Sequence, residues 1–420
     1  MSWRFPKLVP RSAPVILLIL TLAAVIGFAA VNHLVTRYNA NQQARGRKLY
    51  VQGSADAEAG HYDDAVAAFR AALTCDPANS QYQLSLARAL RDSNQPRLLD
   101  EAESYLLALW QRDPQDAAIN LALARVAAKR GSIEAATRYY HNAMYGVWSS
   151  DPDPNRRQAR IELIQFLLSQ KAHDQADSEL IALATALPPD PALHLQAAQL
   201  FSKAEDYAGA LAQDREVLRI DPHNPAALAG AGEAAYRSGD YATAQRYLRE
   251  AVNANPQDAA ARQLLMTSDL VLRINPFRSH ISDVERNRRI TVAFAQAQKR
   301  LAECAQQTGV DLSANAATPA STPASAPTAA LAHTGTPAHV PNVPHVPTPQ
   351  PSPLYSLQSK WLATKPDLAR LRSPAETDLP DAIMDVVFQI EQQTAAACGQ
   401  PQGIDLALLL ISQKREVASQ

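Results

Sequence analysis

Few residues in this chain are spaced to do covalent, metal or acid–base chemistry. The three cysteines, Cys75, Cys304 and Cys398, include no Cys-x-x-Cys and no Cys-x-x-Cys-His. A zinc ribbon, a dithiol redox pair and covalent haem attachment therefore all lack their ligand spacing. His333, His339 and His345 recur every six residues in a proline-rich stretch. Six residues of polyproline helix span about 19 Å, too far for the three to share one ion. There is no Gly-x-x-x-x-Gly-Lys loop, His-Glu-x-x-His, Gly-x-Ser-x-Gly or Gly-x-Gly-x-x-Gly, so the common phosphate, zinc and nucleophile constellations are missing. The expectation is a chain that is not an enzyme, with no catalytic residue, cofactor, metal or small-molecule substrate. Forty Lys and Arg against 41 Asp and Glu leave a net charge of −1, which gives no global field for holding nucleic acid. The chemistry that remains is recognition of other proteins, and it depends on which elements carry the polar side chains.

Those elements are helices. Hydrophobic residues make up 47% of the 420 and aromatics only 6%; the alanine-rich remainder suits helices packed closely together. Pro14 to Val31 is an apolar run with Thr21 its one polar member. At about 1.5 Å per residue it spans roughly 27 Å, close to a bilayer core. It reads as a transmembrane anchor over 14–32 behind a cytoplasmic tail 1–13. The alternative is a cleaved signal, with Gly27-Phe28-Ala29 a loose small-x-small site. Arg4, Lys7 and Arg11 precede the run and Arg37, Arg45, Arg47 and Lys48 follow it, so the positive-inside count is nearly tied. A short leading tail favours an exported bulk.

One unit then recurs six times. Its clearest copy holds Gly239-Asp240-Tyr241-Ala242-Thr243-Ala244, then Leu248, Ala251 and Pro256; the first holds Gly60 to Ala65, then Phe69, Ala72 and Pro77. The same frame places Ala102, Ala136, Ala176 and Ala210. Successive key alanines, from Ala65 to Ala244, lie 37, 34, 40, 34 and 34 residues apart. The two excesses fall at Asn94-Gln95-Pro96 and at Ser149 to Pro154, where loop insertions are expected.

This pattern resembles the tetratricopeptide repeat, over roughly residues 46–258. The resemblance implies an all-α solenoid of helix pairs, with Ala65, Ala102, Ala136, Ala176, Ala210 and Ala244 at the helix crossings. Stacked pairs would offer a concave groove for a protein or peptide partner. It also implies that the first helix of each pair faces that groove. The groove side chains would then be Arg88, Arg91, Arg125 and Lys129 as a basic strip for an acidic peptide, with Lys203, Glu233, Tyr236 and Arg237 further on. A solvated polar face is the alternative. The Lys and Asn pattern of the chaperone-binding carboxylate clamp is not matched, its first positions being Tyr50 and Ser54.

Beyond the repeats, helices are expected over Asp258–Ile274 and Ser282–Ala305, forming a cap over 259–307. The Arg286, Arg288 and Arg289 cluster reads as the wet side of that cap. Residues 312–353 hold ten prolines and no charge and read as a disordered linker. A helical tail, 354–420, follows, with a stripe of Ile383, Val387 and Ile390 and a short apolar run from Ile404 to Ile411. Cys304 and Cys398 end helices on either side of the linker, and docking of the tail on the cap would bring them within disulfide reach. The whole reads as a membrane-tethered scaffold, with the bulk in a bacterial periplasm at the inner membrane. An accessory or chaperone-like subunit of an envelope biogenesis, secretion or cytochrome maturation system is the alternative.

Overall fold

The computed structural model describes residues 13–93, 95–312, 353–371 and 378–419. The tail 1–13 and the linker 312–353 with its three histidines fall outside the described residues, apart from their boundary positions. Six helix hairpins run in chain order. They are α1 (Ala13–Glu58) with α2 (Tyr62–Cys75), α3 (Ser80–Asp92) with α4 (Pro96–Arg112), and α5 (Ala117–Lys129) with α6 (Ile133–Tyr145). The next are α7 (Pro152–Ser169) with α8 (His173–Ala186), α9 (Pro191–Lys203) with α10 (Tyr207–Ile220), and α11 (Pro225–Arg237) with α12 (Tyr241–Ala254). The C-terminal helices are α13 (Ala259–Ile274), α14 (Asp283–Thr308), α15 (Pro353–Thr364), α16 (Asp367–Arg370), α17 (Leu379–Cys398) and α18 (Gly403–Ser419). Among the described residues there is no strand.

A local rule builds the hairpins. Five residues before the key alanine, in five of the six copies, the backbone turns left-handed: Gly60, Gly131 and Gly239 at φ 78°, 71° and 74°, Lys171 and Glu205 at φ 60° and 63°. The next amide reaches back five residues to close each first helix, His61 to Asp56, Ser132 to Ala127, Ala172 to Leu167, Asp206 to Phe201 and Asp240 to Ala235, at 2.8–3.1 Å. This satisfies end carbonyls that would otherwise lack donors and reverses the chain. The far end of a hairpin is closed by a side-chain cap. Asn79, Asp116, Asp190, Asn224 and Asp258 each accept from amides of the helix they precede. All six key alanines are 0% exposed. The first helix is small where it meets the residue four positions after the key alanine. A Cβ added at Gly232 would lie 2.6 Å from Leu248 Cγ, and one at Gly53 2.9 Å from Phe69.

The two sequence excesses are not looped out. The first goes into α4, which has 17 residues where α2, α8, α10 and α12 have 14. The second goes mainly into α7, with 18 residues where α5, α9 and α11 have 13. Pro96 and Pro152 open these helices. Proline is preset for the first helical position and starts the helix early.

The chain forms two compact units, 1–186 and 187–420. In the first, Phe69, Leu86, Leu90, Leu106 and Leu109 pack with Ile119 and Leu123, and Tyr140 and Met144 pack with Leu163 and Leu167. The apolar segment does not end at a hinge. It continues through α1, which includes an 18-residue window of mean hydropathy 2.2, and its last turns pair with α2 as the first helix of the first hairpin.

In the second unit the expected cap and tail are one bundle. Besides α12, the helix that packs along α13 is α18, from the far end of the chain, whereas α14 packs on α17. Their shared core includes Ile290, Phe294, Leu301, Ile383, Val387, Leu408 and Ile411. Trp361, on α15, stacks on Phe294 with centroids 4.9 Å apart and donates its indole N–H to the Phe294 carbonyl at 3.1 Å. Cys304 and Cys398 form a disulfide with Cα atoms 5.7 Å apart, joining the ends of α14 and α17. Arg289 differs from the wet-face expectation. Its side chain is 11% exposed and donates to the Leu272 and Asn275 carbonyls, so it fastens α14 to the end of α13. Arg286 and Arg288 stay on the surface, paired with Asp283 and Glu285.

Candidate functional site

The first helices of the N-terminal unit carry the polar residues singled out from sequence. Arg88 and Arg91 are on α3, Arg125 and Lys129 on α5. They do not form a free basic strip. Arg125 grips Glu162 of α7 with two hydrogen bonds, 2.8 and 2.7 Å. Arg91 is held by its neighbour Asp92 at 2.8 and 2.5 Å. Lys129 donates to the Arg91 carbonyl at 2.6 Å. Three of the four cations are thus engaged inside the fold, Arg125 and Lys129 by neighbouring first helices and Arg91 by the next residue of its own chain segment.

Arg88 is the exception. It is half-buried, and its Nε is buried without a partner, as is one terminal nitrogen of Arg91. Burial, then the like charges of Arg125 and Arg91, pull the Arg88 pKa down. Glu162 shows the opposite balance. Burial raises its pKa, but the hydrogen bonds and charge of Arg125 outweigh that and hold it low. The site therefore has one under-compensated guanidinium beside two whose carboxylate partners are in place.

Nearby, the two clamp positions are used internally. Tyr50 stacks on Tyr82 at 4.9 Å and its hydroxyl accepts from Gln81 at 3.1 Å, while Ser54 donates to the Tyr50 carbonyl at 2.9 Å.

In the second unit, Lys203 is the exposed last residue of α9. Arg237 and Glu233 form a loose exposed pair at 3.5 Å. Tyr236 is half-buried with its ring edge-on to Tyr241 at 5.5 Å. Sequence reasoning did not place Lys414 or Arg415 near these residues. Lys414 donates to the Gly239 carbonyl and lies over the Tyr241 ring at 5.9 Å. The Arg415 guanidinium sits 3.9 Å over Phe277. Residues so far apart in the chain carry no shared period to reveal them.

Comparison with known proteins agrees with this geometry. The family described as tetratricopeptide repeat matches residues 50–117 and, in a second form, 202–266. This is a tetratricopeptide-repeat protein. Proteins of this fold serve as scaffolds that bind other proteins, and the stacked hairpins are built for it. Among solved structures, the PilF protein of Pseudomonas aeruginosa aligns at 18% identity, covering 53% of this chain and 97% of that one, with a TM-score of 0.37. The type IV pilus biogenesis factor PilW aligns at 18% identity over 52% and 98%, TM-score 0.37. YrrB, described as having an unusual peptide-binding site, aligns at 16% identity over 46% and 95%, TM-score 0.34. Likeness at this level carries no functional weight for the tetratricopeptide-repeat chain. A search of curated proteins returns no match.

Proposed function

We propose that this tetratricopeptide-repeat protein is a membrane-tethered scaffold. It holds a protein partner against the first-helix face of its N-terminal unit, with Arg88 receiving an acidic side chain or a C-terminal carboxylate. The observation that carries this reading is the buried, unpartnered Nε of Arg88 beside two further guanidiniums. A carboxylate bound beside the half-buried Arg88 side chain would offset the like charges of Arg125 and Arg91. Tethering is supported by the apolar N-terminal part of α1. A periplasmic bulk is supported by the Cys304–Cys398 disulfide, since such bonds persist outside a reducing cytosol.

Capture of partners from solubilised membranes, by wild type and by Arg88→Glu, tests the reading. Loss of the captured partner with an unchanged melting temperature is the expected result. Equal capture by the two proteins would show that Arg88 takes no part in partner binding. One stoichiometric partner would mark an accessory subunit of an envelope system; many weak clients would mark a chaperone-like scaffold.

A further inference from the structure

The C-terminal helix α18 helps to form a recessed surface in the second unit. Together with the turn between α11 and α12 it bounds a cavity of 510 Å³ lined mainly by Tyr207, Tyr236, Tyr241, Arg237, Leu410 and Lys414. Sites of this size hold a residue or two of a ligand, and they combine apolar walls with a few polar groups. We propose that this cavity is a binding site for a short acidic segment of a protein partner, an apolar side chain lying among the tyrosines and its carboxylate between Arg237 and Lys414.

Three observations point the same way. First, two cations and no carboxylate line the cavity. The nearby acids are Glu233, loosely paired with Arg237, and Asp240, where burial is outweighed by the Thr243 hydrogen bonds and the Lys414 charge, which hold its pKa down. Second, neither cation is saturated. Lys414 spends one donor on the Gly239 carbonyl and an ammonium has three. The Arg237–Glu233 pair is 3.5 Å long with both side chains more than half exposed, so it is weak and readily exchanged. Third, Tyr207 and Tyr236, both half-buried, offer flat apolar faces at low rotamer cost, the chemistry that protein recognition surfaces favour, beside the buried Tyr241. Tyr241 is itself fixed by the Tyr236 edge contact, so one wall is in place before anything binds. The site has a structural precondition. Leu410 and Lys414 come from α18, so the cavity exists only while the C-terminal helix is docked on α13.

The proposal rests on the scaffold reading but uses different residues, and a site-directed cross-link separates the two. Benzoylphenylalanine replaces Gln413, which is exposed and lines the same cavity, in the full chain in detergent. The probes are synthetic Glu-Phe-Glu-Phe-Glu-Phe and Lys-Phe-Lys-Phe-Lys-Phe. The acidic probe should cross-link and the basic probe should not. Yield should drop roughly tenfold or more when Arg237→Glu and Lys414→Glu are combined, and also in Tyr207→Ala, which leaves the charges intact. Arg88→Glu should leave the yield unchanged. Absence of any cross-link, equal labelling by the basic probe, or labelling that survives the charge reversal would each overturn the site. Loss of partner capture in Arg88→Glu with no cross-link at position 413 would leave the scaffold reading standing and this site refuted.

Discussion

Lys171 and Glu205 hold a backbone conformation that glycine adopts without strain at the three equivalent turns. A left-handed residue with a Cβ costs about 1–2 kcal/mol, more than the roughly 0.5–1 kcal/mol of chain entropy that glycine forfeits on folding. Lys171→Gly and Glu205→Gly should therefore each stabilise by up to about 1 kcal/mol, read as a higher melting temperature; a lower one would show that these turns are relaxed as they stand. Glu391 makes a second residue-scale prediction. It is 0% exposed on α17, and both its carboxylate oxygens lack a partner. Arg300 of α14 and Asp405 of α18 face it. Burial, then the charge of Asp405, pushes its pKa up to about 9 against the pull of Arg300. The folded protein thus keeps a proton that the unfolded chain releases near its ordinary value of 4.5. Stability should fall as pH rises from that value towards about 9, by at most about 1.4 kcal/mol per pH unit, and then level off. Glu391→Gln should flatten this slope in denaturant titrations across the window, and an unchanged slope would exonerate the residue. The alanines were legible in the sequence because a fixed period marks them. The pairing of Arg125 with Glu162 was not, because which acid meets which base is decided by how neighbouring hairpins stack. Glu391 was not legible either, since a glutamate on a helix reads as solvated.

At the scale of elements, each hairpin depends on one close crossing. Ala244 is fully buried where α11 and α12 meet, so Ala244→Leu must push the helices apart at a cost of about 1–3 kcal/mol. An unaltered denaturation curve would show that the crossing tolerates the larger side chain. The helices were read from sequence almost to their ends where apolar periodicity was long, as in α13 and α14. α15 was missed. Its twelve residues begin at the last proline of a compositionally biased stretch, and its anchor, Trp361, finds its partner Phe294 far away in the chain. The pairing of α13 with α18 was likewise hidden, because a one-dimensional period cannot report a helix that returns from the other end. The disulfide closes this bundle over a sequence separation of 94 residues. Replacing Cys398 by Ser should cost on the order of 4 kcal/mol in the chain-entropy view, less any strain. The loss should be confined to the second unit, and hydrogen exchange that rises selectively in α17 and α18 would show it. Exchange rising equally in α3 and α5 would contradict that localisation.

At the scale of the molecule, the N-terminal apolar segment predicts that the protein resists carbonate extraction and that removal of residues 1–32 releases it. Intact mass showing cleavage near Ala29 would replace anchor by signal. The two compact units divide the work proposed above, one offering Arg88 and the other the tyrosine-lined cavity, so their lesions should be separable in binding assays. In a tethered protein, α1 links the membrane segment directly to the first hairpin. The helix is unbroken from the apolar run into the first hairpin, so the azimuth of that hairpin about the helix axis is geared to the membrane segment. Each residue inserted between Val35 and Gly46 would lift the hairpin by about 1.5 Å and swing it by about 100°. Five added residues would turn its face roughly 140° away from a membrane neighbour, whereas seven, two turns within about 20°, would restore its heading at a greater height. A partner seated in the same membrane should accept the second insertion and refuse the first, as a key accepts only its own bearing in the lock.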